Sequence, residues 1–324
     1  MTDAIVVGGG ISGIACAAAL AEAGVSVRVR DRGRRLAGSM TSRRLRDTGT
    51  AFDGRVVDIG ASYFTATQPE FVETVDRLIA RDVVQPWTTG FHVAGPEGIV
   101  GVRTGPMRYR AAQGLSSVVE ALVPDGIEVS LDDEVSSIAV RDGRIVVDDD
   151  GADLAAACMP DPQLRRLTDL VPESPITWEP VIAVTCVFAS RDWIDLDGVF
   201  VNDDPVLTWI ADDGRRRGDD APVLVAHVSP VLAAMHLSDP AAVIAPAIAT
   251  VKRVLGLSAN PDWAQAHRWT YAKPLAAAVE PFWMHDEVPF GVAGDAWADG
   301  PKVEAAWLSG HLLGQALAQR ADRG

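Results

Sequence analysis

Three glycines and one aspartate near the start of the chain have the types and spacing that phosphate recognition needs. Gly8, Gly10 and Gly13 stand in the order G-x-G-x-x-G, and Asp31 follows 18 residues after Gly13. In such a turn the first glycine permits a sharp reversal and the second lets the backbone approach a pyrophosphate. The third lets a helix pack closely on a strand. A helix starting there points free N–H groups and the positive end of its dipole at the phosphates. Asp31 is spaced to accept hydrogen bonds from an adenosine ribose, and its charge disfavours a 2′-phosphate. The implied chemistry is dinucleotide binding.

The same glycines serve ordinary turns, so the flanking elements decide. Ala4-Ile5-Val6-Val7 reads as a strand, and a small-residue helix follows with Ala17 and Leu20 on its buried face and Gly24 at its end. The alternating Val25 to Arg30 segment reads as a second strand ending on Asp31. Strand, glycine turn, helix, strand and acid make a complete unit.

Helical spacing is expected over 70–82 and 115–122, hairpins over 86–110, and strands at 127–131, 135–141 and 144–149. Asp142-Gly143 is a two-residue hairpin turn. Apolar strands are expected at 181–188, 198–201, 206–211 and 223–229, and a helix at 240–255. A strand at 290–293 runs into Gly294-Asp295, and a helix over 302–318 closes the chain. This second strand–glycine–acid–helix unit points to a discontinuous nucleotide domain. The expected division is 1–62, 106–160 and 286–324 for that domain, with 63–105 and 161–285 as an inserted β-rich substrate domain.

Composition bounds the function. The 324 residues carry 29 basic and 44 acidic side chains, a net charge of −15, which argues against nucleic acid as a partner. No apolar run is long enough for a membrane span. Residues 4–21 mimic a secretory leader without its basic start, and Gln319 to Gly324 is too polar for a tail anchor. Cys16, Cys158 and Cys186 are far apart with no C-x-x-C pair, so reduced, buried thiols and a cytoplasmic setting are expected. The six histidines lack metal-ligand spacing, and no G-x-S-x-G elbow is present, so no metal is expected. Most of the nine tryptophans read as core. The segment Asp212-Asp213 to Asp219-Asp220, with Arg215-Arg216-Arg217 inside it, reads as an exposed loop.

Four segments carry a family resemblance: the opening unit, Val57-Asp58-Ile59-Gly60-Ala61-Ser62-Tyr63-Phe64-Thr65, Ala112-Gln113-Gly114-Leu115-Ser116-Ser117, and Gly294-Asp295-Ala296-Trp297. In that order, nearly end to end, the chain resembles the renalase-like FAD-dependent oxidoreductases, small relatives of the flavin amine oxidases. The resemblance implies an α/β fold with a Rossmann-type FAD/NAD(P)-binding domain. It implies non-covalent FAD, since tethering relatives use a cysteine near the C-terminal flavin segment and the last one here is Cys186. Gly8, Gly10, Ile11, Ser12 and Gly13 would hold the pyrophosphate, and Asp31 the ribose. Arg32, Ser39 and Met40 join the cofactor set. Gly60, Ala61, Ser62 and Tyr63 would lie by the isoalloxazine, and Val135 would meet the adenine edge through its backbone. Gly294 and Asp295 would bind the ribityl or pyrophosphate part. Lys302, Val303 and Glu304 begin a helix whose N-terminus would face the flavin N1/O2 region. Tyr63, Trp269 and Trp297 would line the reaction site.

Two departures stand out. Ala37-Gly38-Ser39 replaces the usual Gly-Gly-Arg, leaving Arg34, Arg35, Arg43 and Arg44 as substitute phosphate ligands or as surface charge. Thr270 stands where an arginine is common, and Lys273 reads as a surface lysine rather than the amine oxidases' active-site lysine. The activity implied is hydride transfer from a small substrate, such as a 2- or 6-dihydronicotinamide dinucleotide isomer, with dioxygen as acceptor and hydrogen peroxide as product. An amine oxidase or other flavin dehydrogenase is one alternative. A non-catalytic nucleotide-binding redox sensor is another.

Overall fold

The computed structural model describes residues 2–173, 176–298 and 300–321. In chain order its strands and helices are β1 (Asp3–Val7), α1 (Ile11–Glu22), β2 (Ser26–Arg30), β3 (Ser42–Arg44), β4 (Val56–Asp58), α2 (Pro69–Ala80), β5 (Gln85–Gly95), β6 (Gly98–Arg110), α3 (Ser116–Glu120), β7 (Glu128–Ser130), β8 (Ile138–Arg141), β9 (Arg144–Val147), β10 (Asp150–Ala152) and β11 (Leu154–Ala157). They continue as α4 (Asp161–Leu164), β12 (Trp178–Val187), β13 (Gly198–Val201), β14 (Leu207–Asp212), α5 (Asp213–Arg217), β15 (Val223–Val228), α6 (Pro230–Met235), α7 (Ile244–Leu255), β16 (Trp263–Pro274), β17 (Trp283–Met284), β18 (Phe290–Val292) and α8 (Val303–Ala321).

Continuous apolar strands need cover on both faces. β1 and β11 are such strands, and they lie centrally in a sheet ordered β17-β18-β11-β1-β2-β7. Within it β18, β11, β1, β2 and β7 run parallel. Helices α1 and α8 cover one face, and they pack so closely on each other that a Cβ on Gly310 would sit 1.9 Å from the Ser12 carbonyl oxygen. The small sheet β8-β9-β10 packs its Ile138, Ile145 and Val147 on the other face, against Ile5 and Val7. The Asp142-Gly143 turn joining β8 to β9 has positive φ at both residues, as a tight hairpin requires. This is the expected α/β Rossmann-like architecture.

The second sheet is ordered β16-β12-β15-β14-β13-β5-β6 and is antiparallel except for the β13–β5 pair. Its alternating pattern gives two faces. Val184, Ile210, Leu224 and Ala226 pack under Ala247 and Val251 of α7. The opposite face presents Ala183, Val223 and Val225 to Val57 and Ile59. On the same side Phe91 and Trp209 meet Tyr63. Strand β6 runs across position 106, and β17 joins the first sheet although it lies within 161–285.

The reading of 212–220 as an exposed loop is overturned for 212–217, while Gly218, Asp219 and Asp220 are exposed. Asp212 and Asp213 have no exposed surface and Arg216 has 1%. Asp212 caps α5 by accepting from the Arg215 N–H at 2.9 Å, and Gly218 closes the helix in the left-handed region. An acidic cap before and a glycine after are helix signals that the charge pattern obscured. The polar tail expected over 319–324 lies partly outside the described residues, which end at Ala321. No helix among the described residues is long and apolar enough to cross a membrane.

Candidate functional site

The glycine turn lies at the carboxyl end of β1, between β2 and β11, where strand order reverses. Gly8 has φ of +111°, and a Cβ there would stand 2.4 Å from the Cys158 carbonyl oxygen. A Cβ on Gly13 would meet the Gly8 oxygen at 1.8 Å. These two glycines are therefore required for the turn and for helix–strand contact. Gly10 is different: it caps α1 in an extended conformation with no side-chain cap, and its nearest neighbour to a Cβ is Gly38 Cα at 3.7 Å. The Ile11 side chain is core, so only its backbone faces the turn. Ser12 is buried, and its Oγ has no hydrogen-bond partner. A buried hydroxyl without a partner beside a helix N-terminus suits a phosphate oxygen.

Asp31 organises the adjacent loop. Its Oδ2 accepts from the Gly9 N–H at 2.5 Å and its Oδ1 from the Gly33 N–H at 2.6 Å. The following segment is drawn alongside by Asp132 and Asp133, whose N–H groups donate to the Gly33 and Asp31 carbonyls, both at 3.0 Å. Val135 comes to the same end of the sheet with its side chain in the core. Arg30 fixes this edge through Asp133 at 2.7 Å and Asp148 at 3.0 Å. Arg32 is exposed, and Arg34 pairs with Asp132. Ala37 holds φ of +127°, a conformation suited to glycine.

On the other side, Gly294 follows β18 and donates to Ser309 Oγ at 3.0 Å. Asp295 is partly reached by solvent yet crowded by protein, and desolvation pushes its carboxyl up to about 6. Lys302 is exposed, while Val303 and Glu304 open α8, where the first-turn N–H groups of any helix lack intrahelical acceptors. The Glu304 side chain is spoken for: its carboxylate accepts from Thr67 N–H, Thr67 Oγ1 at 2.8 Å and Gln68 N–H at 2.6 Å. Only the Glu304 backbone remains for a cofactor. Trp297 is half-buried in the turn before α8, its backbone N–H donating to the Gly294 carbonyl.

The loop 58–63 joins the two sheets. Gly60 approaches the Ser39 carbonyl so closely that a Cβ would lie 2.0 Å from it, and the Ala61 N–H donates to that oxygen at 2.7 Å. Met40 is wholly buried beneath. So the Ser39 backbone and the buried Met40 side chain shape the loop. Trp269 reaches this loop: its indole N–H donates to the Ile59 carbonyl at 2.7 Å. Arg216 Nη1 donates to the Ser62 carbonyl at 2.8 Å while ion-pairing with Asp213 at 3.1 Å and Asp58 at 3.5 Å. Arg217 pairs with Asp58 at 2.6 Å, and Arg55 with Asp213 and Asp219.

Ser62 Oγ lies 3.4 Å from His227 Nδ1. Burial, with help from the Lys273 and Arg216 charges, pushes His227 down to about 3, so it is neutral at physiological pH. Lys273 is exposed on β16, yet close enough for that influence. Tyr63 lies against Phe91 and Trp209, with ring centroids 5.1 and 5.9 Å away. Arg35, Arg43 and Arg44 line a common cavity of about 150 Å³ with Ser42 and Gln113.

Sequence reasoning missed Arg108, His227, Trp209 and Arg216, all donors or acceptors facing this region from the second sheet and α5. The alternation of β14 and β15 was the available signal for Trp209 and His227. All three cysteines are buried and free. The Cys158 thiol and burial push the Cys16 thiol up, and burial pushes Cys186 to about 12. No cluster among the described residues is suited to a metal.

Residues 6–78 match the NAD(P)-binding Rossmann-like domain family. Solved structures share the whole fold. A candidate protoporphyrinogen oxidase from Exiguobacterium sp. 255-15 superposes with a TM-score of 0.77 at 15% identity, covering 99% of each chain. Wild-type putrescine oxidase bound to putrescine gives 0.66 at 15% identity, covering 100% of this chain and 99% of that one. A double mutant of putrescine oxidase gives 0.68 at 16% identity, covering 99% of each.

Proposed function

We propose that the chain is an FAD-dependent oxidase acting on a small substrate. The reading rests on one pairing at the carboxyl ends of the parallel strands. Ser12 Oγ is buried without a partner, and Asp295 is desolvated enough to be held near 6. The first suits a phosphate oxygen and the second a hydroxyl donor, and a flavin dinucleotide carries both. Bound FAD would supply the hydride-accepting N5 and, once reduced, the reaction with dioxygen that gives hydrogen peroxide.

The chain's own residues bind and orient. The amides of the Gly8–Gly13 turn and the α1 dipole attract the pyrophosphate. Asp31 keeps a lone pair on each oxygen for the ribose beyond its two backbone bonds. The first turn of α8 presents partial positive charge to negative charge developing on the ring. Arg216, Trp269 and Ser39 hold the loop carrying Ser62 and Tyr63. The sheet bearing Phe91 and Trp209 serves as the substrate side. The substrate favoured is a 2- or 6-dihydronicotinamide dinucleotide isomer, in keeping with the resemblance of the segment at 57–65.

The visible spectrum of the purified protein tests this. Bands near ~375 and ~450 nm, released into the supernatant on denaturation, are expected. A colourless protein that takes up no added FAD overturns the reading. Ser12→Ala should weaken FAD retention by about 3- to 10-fold, the worth of one hydrogen bond. Anaerobic mixing with 6-dihydronicotinamide dinucleotide should bleach the flavin. Bleaching by putrescine instead would assign the enzyme to amine oxidation.

A further inference from the structure

Three arginines around loop 58–63 and α5 have carboxylates: Arg55 has Asp213 and Asp219, and Arg216 and Arg217 have Asp58 and Asp213. Arg108, on β6, does not. It is 5% exposed, and its Nε and Nη1 are buried with no hydrogen-bond acceptor. No carboxylate among the described residues lies within ion-pair distance of it, in a chain with 44 acidic residues. Its guanidinium instead lies over aromatic faces, 4.2 Å from the Phe91 centroid and 5.5 Å from that of Tyr63. Such contacts stabilise a cation less than lost hydration destabilises it.

A second donor shares the cluster. Trp209 Nε1 is also buried without an acceptor, and its ring packs 4.7 Å from Phe91 and 5.9 Å from Tyr63. Two unsatisfied donors around one aromatic cluster ask for an acceptor that the chain does not supply. The remaining Nη2 is crowded by the backbone of Gly105, where a Cβ would come within 2.9 Å, so the unsatisfied donors are those on the aromatic side.

We propose that Arg108 docks an anionic group of the substrate, a carboxylate or a phosphate, in a site walled by Tyr63, Phe91 and Trp209. The inference rests on the proposed function only in taking Tyr63 as the border between cofactor and substrate. It makes Arg108 a specificity-determining residue that selects anionic substrates over cationic amines.

Calorimetric titration of the protein as purified tests it, with benzoate, inorganic phosphate, neutral benzamide and cationic benzylamine as probes. Benzoate or phosphate should bind at least about tenfold more tightly than benzamide, the worth of a charge-assisted hydrogen bond, and benzylamine should not bind. Preference for benzoate assigns a carboxylate, and preference for phosphate a phosphoryl group. Arg108→Met should abolish the anion preference, and Arg108→Lys should keep part of it. Arg108→Met should also melt no lower than wild type without anion, because it removes an unpaired buried charge. A merely structural arginine would lower the melting temperature in both variants. Equal binding of benzoate and benzamide, or anion binding unchanged in Arg108→Met, overturns the proposal. The flavin spectrum of the same sample separates the claims: a yellow protein indifferent to anions loses only this inference. A colourless one with Arg108-dependent anion binding keeps it and loses the flavin.

Discussion

Replacing Asp58 by asparagine should cost this protein a large part of its stability. Asp58 is 2% exposed. Its Oδ1 accepts from Ser42 Oγ at 2.5 Å and from the Leu115 N–H at 2.8 Å, while Oδ2 faces Arg217 at 2.6 Å and Arg216 at 3.5 Å. The network balances Arg55, Arg216 and Arg217 against Asp58, Asp213 and Asp219. Asparagine keeps the shape, removes one negative charge and leaves a buried positive excess. Breaking a buried pair in this way costs about 3–5 kcal/mol, against a total stability of about 5–15 kcal/mol. Asp219 is the control, since its side chain is 51% exposed and Arg55 retains Asp213. Asp219→Asn should cost no more than the ~1 kcal/mol of a surface pair. Urea unfolding followed by tryptophan emission at neutral pH measures both. A loss below about 1 kcal/mol for Asp58→Asn, or equal losses for the two variants, would refute the reasoning. The acid limb gives a second reading. Burial pushes the Asp58 carboxyl up, but Arg217, Arg216, Ser42 and the Leu115 amide together hold it below the usual carboxylate range. A depressed carboxyl contributes its full stability above the unfolded value near 4 and loses it as pH falls further. The variant should therefore show a shallower loss below about pH 4 than wild type.

Two other outcomes follow from local geometry. Ala37→Gly should raise stability by about 1 kcal/mol in thermal melts, because alanine at φ +127° is strained; a lowered melting temperature would contradict this. Asp295 has a raised carboxyl, so its ionisation opposes folding, and the protein without cofactor should lose stability as pH rises from about 4 through 6. Asp295→Asn should remove that slope and stabilise the cofactor-free protein at pH 7 by about 2 kcal/mol, while weakening FAD retention. A pH–stability curve unchanged by the substitution would count against the assignment.

Much of the nucleotide unit was legible in one dimension. The roles expected of Gly8 and Gly13 reappear as contacts that leave no room for a Cβ, because turn and helix packing are local matters of a dozen residues. Most strands of the two sheets were legible as apolar or alternating runs, but β11 and β17 were not read as strands, and the mixed polar and aromatic sequence of β16 hid it. The charged segment 212–217 was misread because charge predicts solvent only when no opposite charge arrives from elsewhere. Asp58 and Arg55 arrive from more than 150 residues away. The side-chain partners of Glu304 and Trp269, which are Thr67, Gln68 and Ile59, lie far away in sequence and were not legible in it.

The sequence by itself determined a dinucleotide-type turn, its acid, and an α/β alternation of strands and helices, since each depends on neighbours along the chain. Only the tertiary structure decided which polar groups are left without partners. Ser12 and Asp295 were marked by their motifs, but nothing in the sequence marked Arg108 or showed that Ser12 and Arg108 lack partners. Their significance comes from desolvation and from the absence of a complementary group, and both depend on how distant strands and helices close around them.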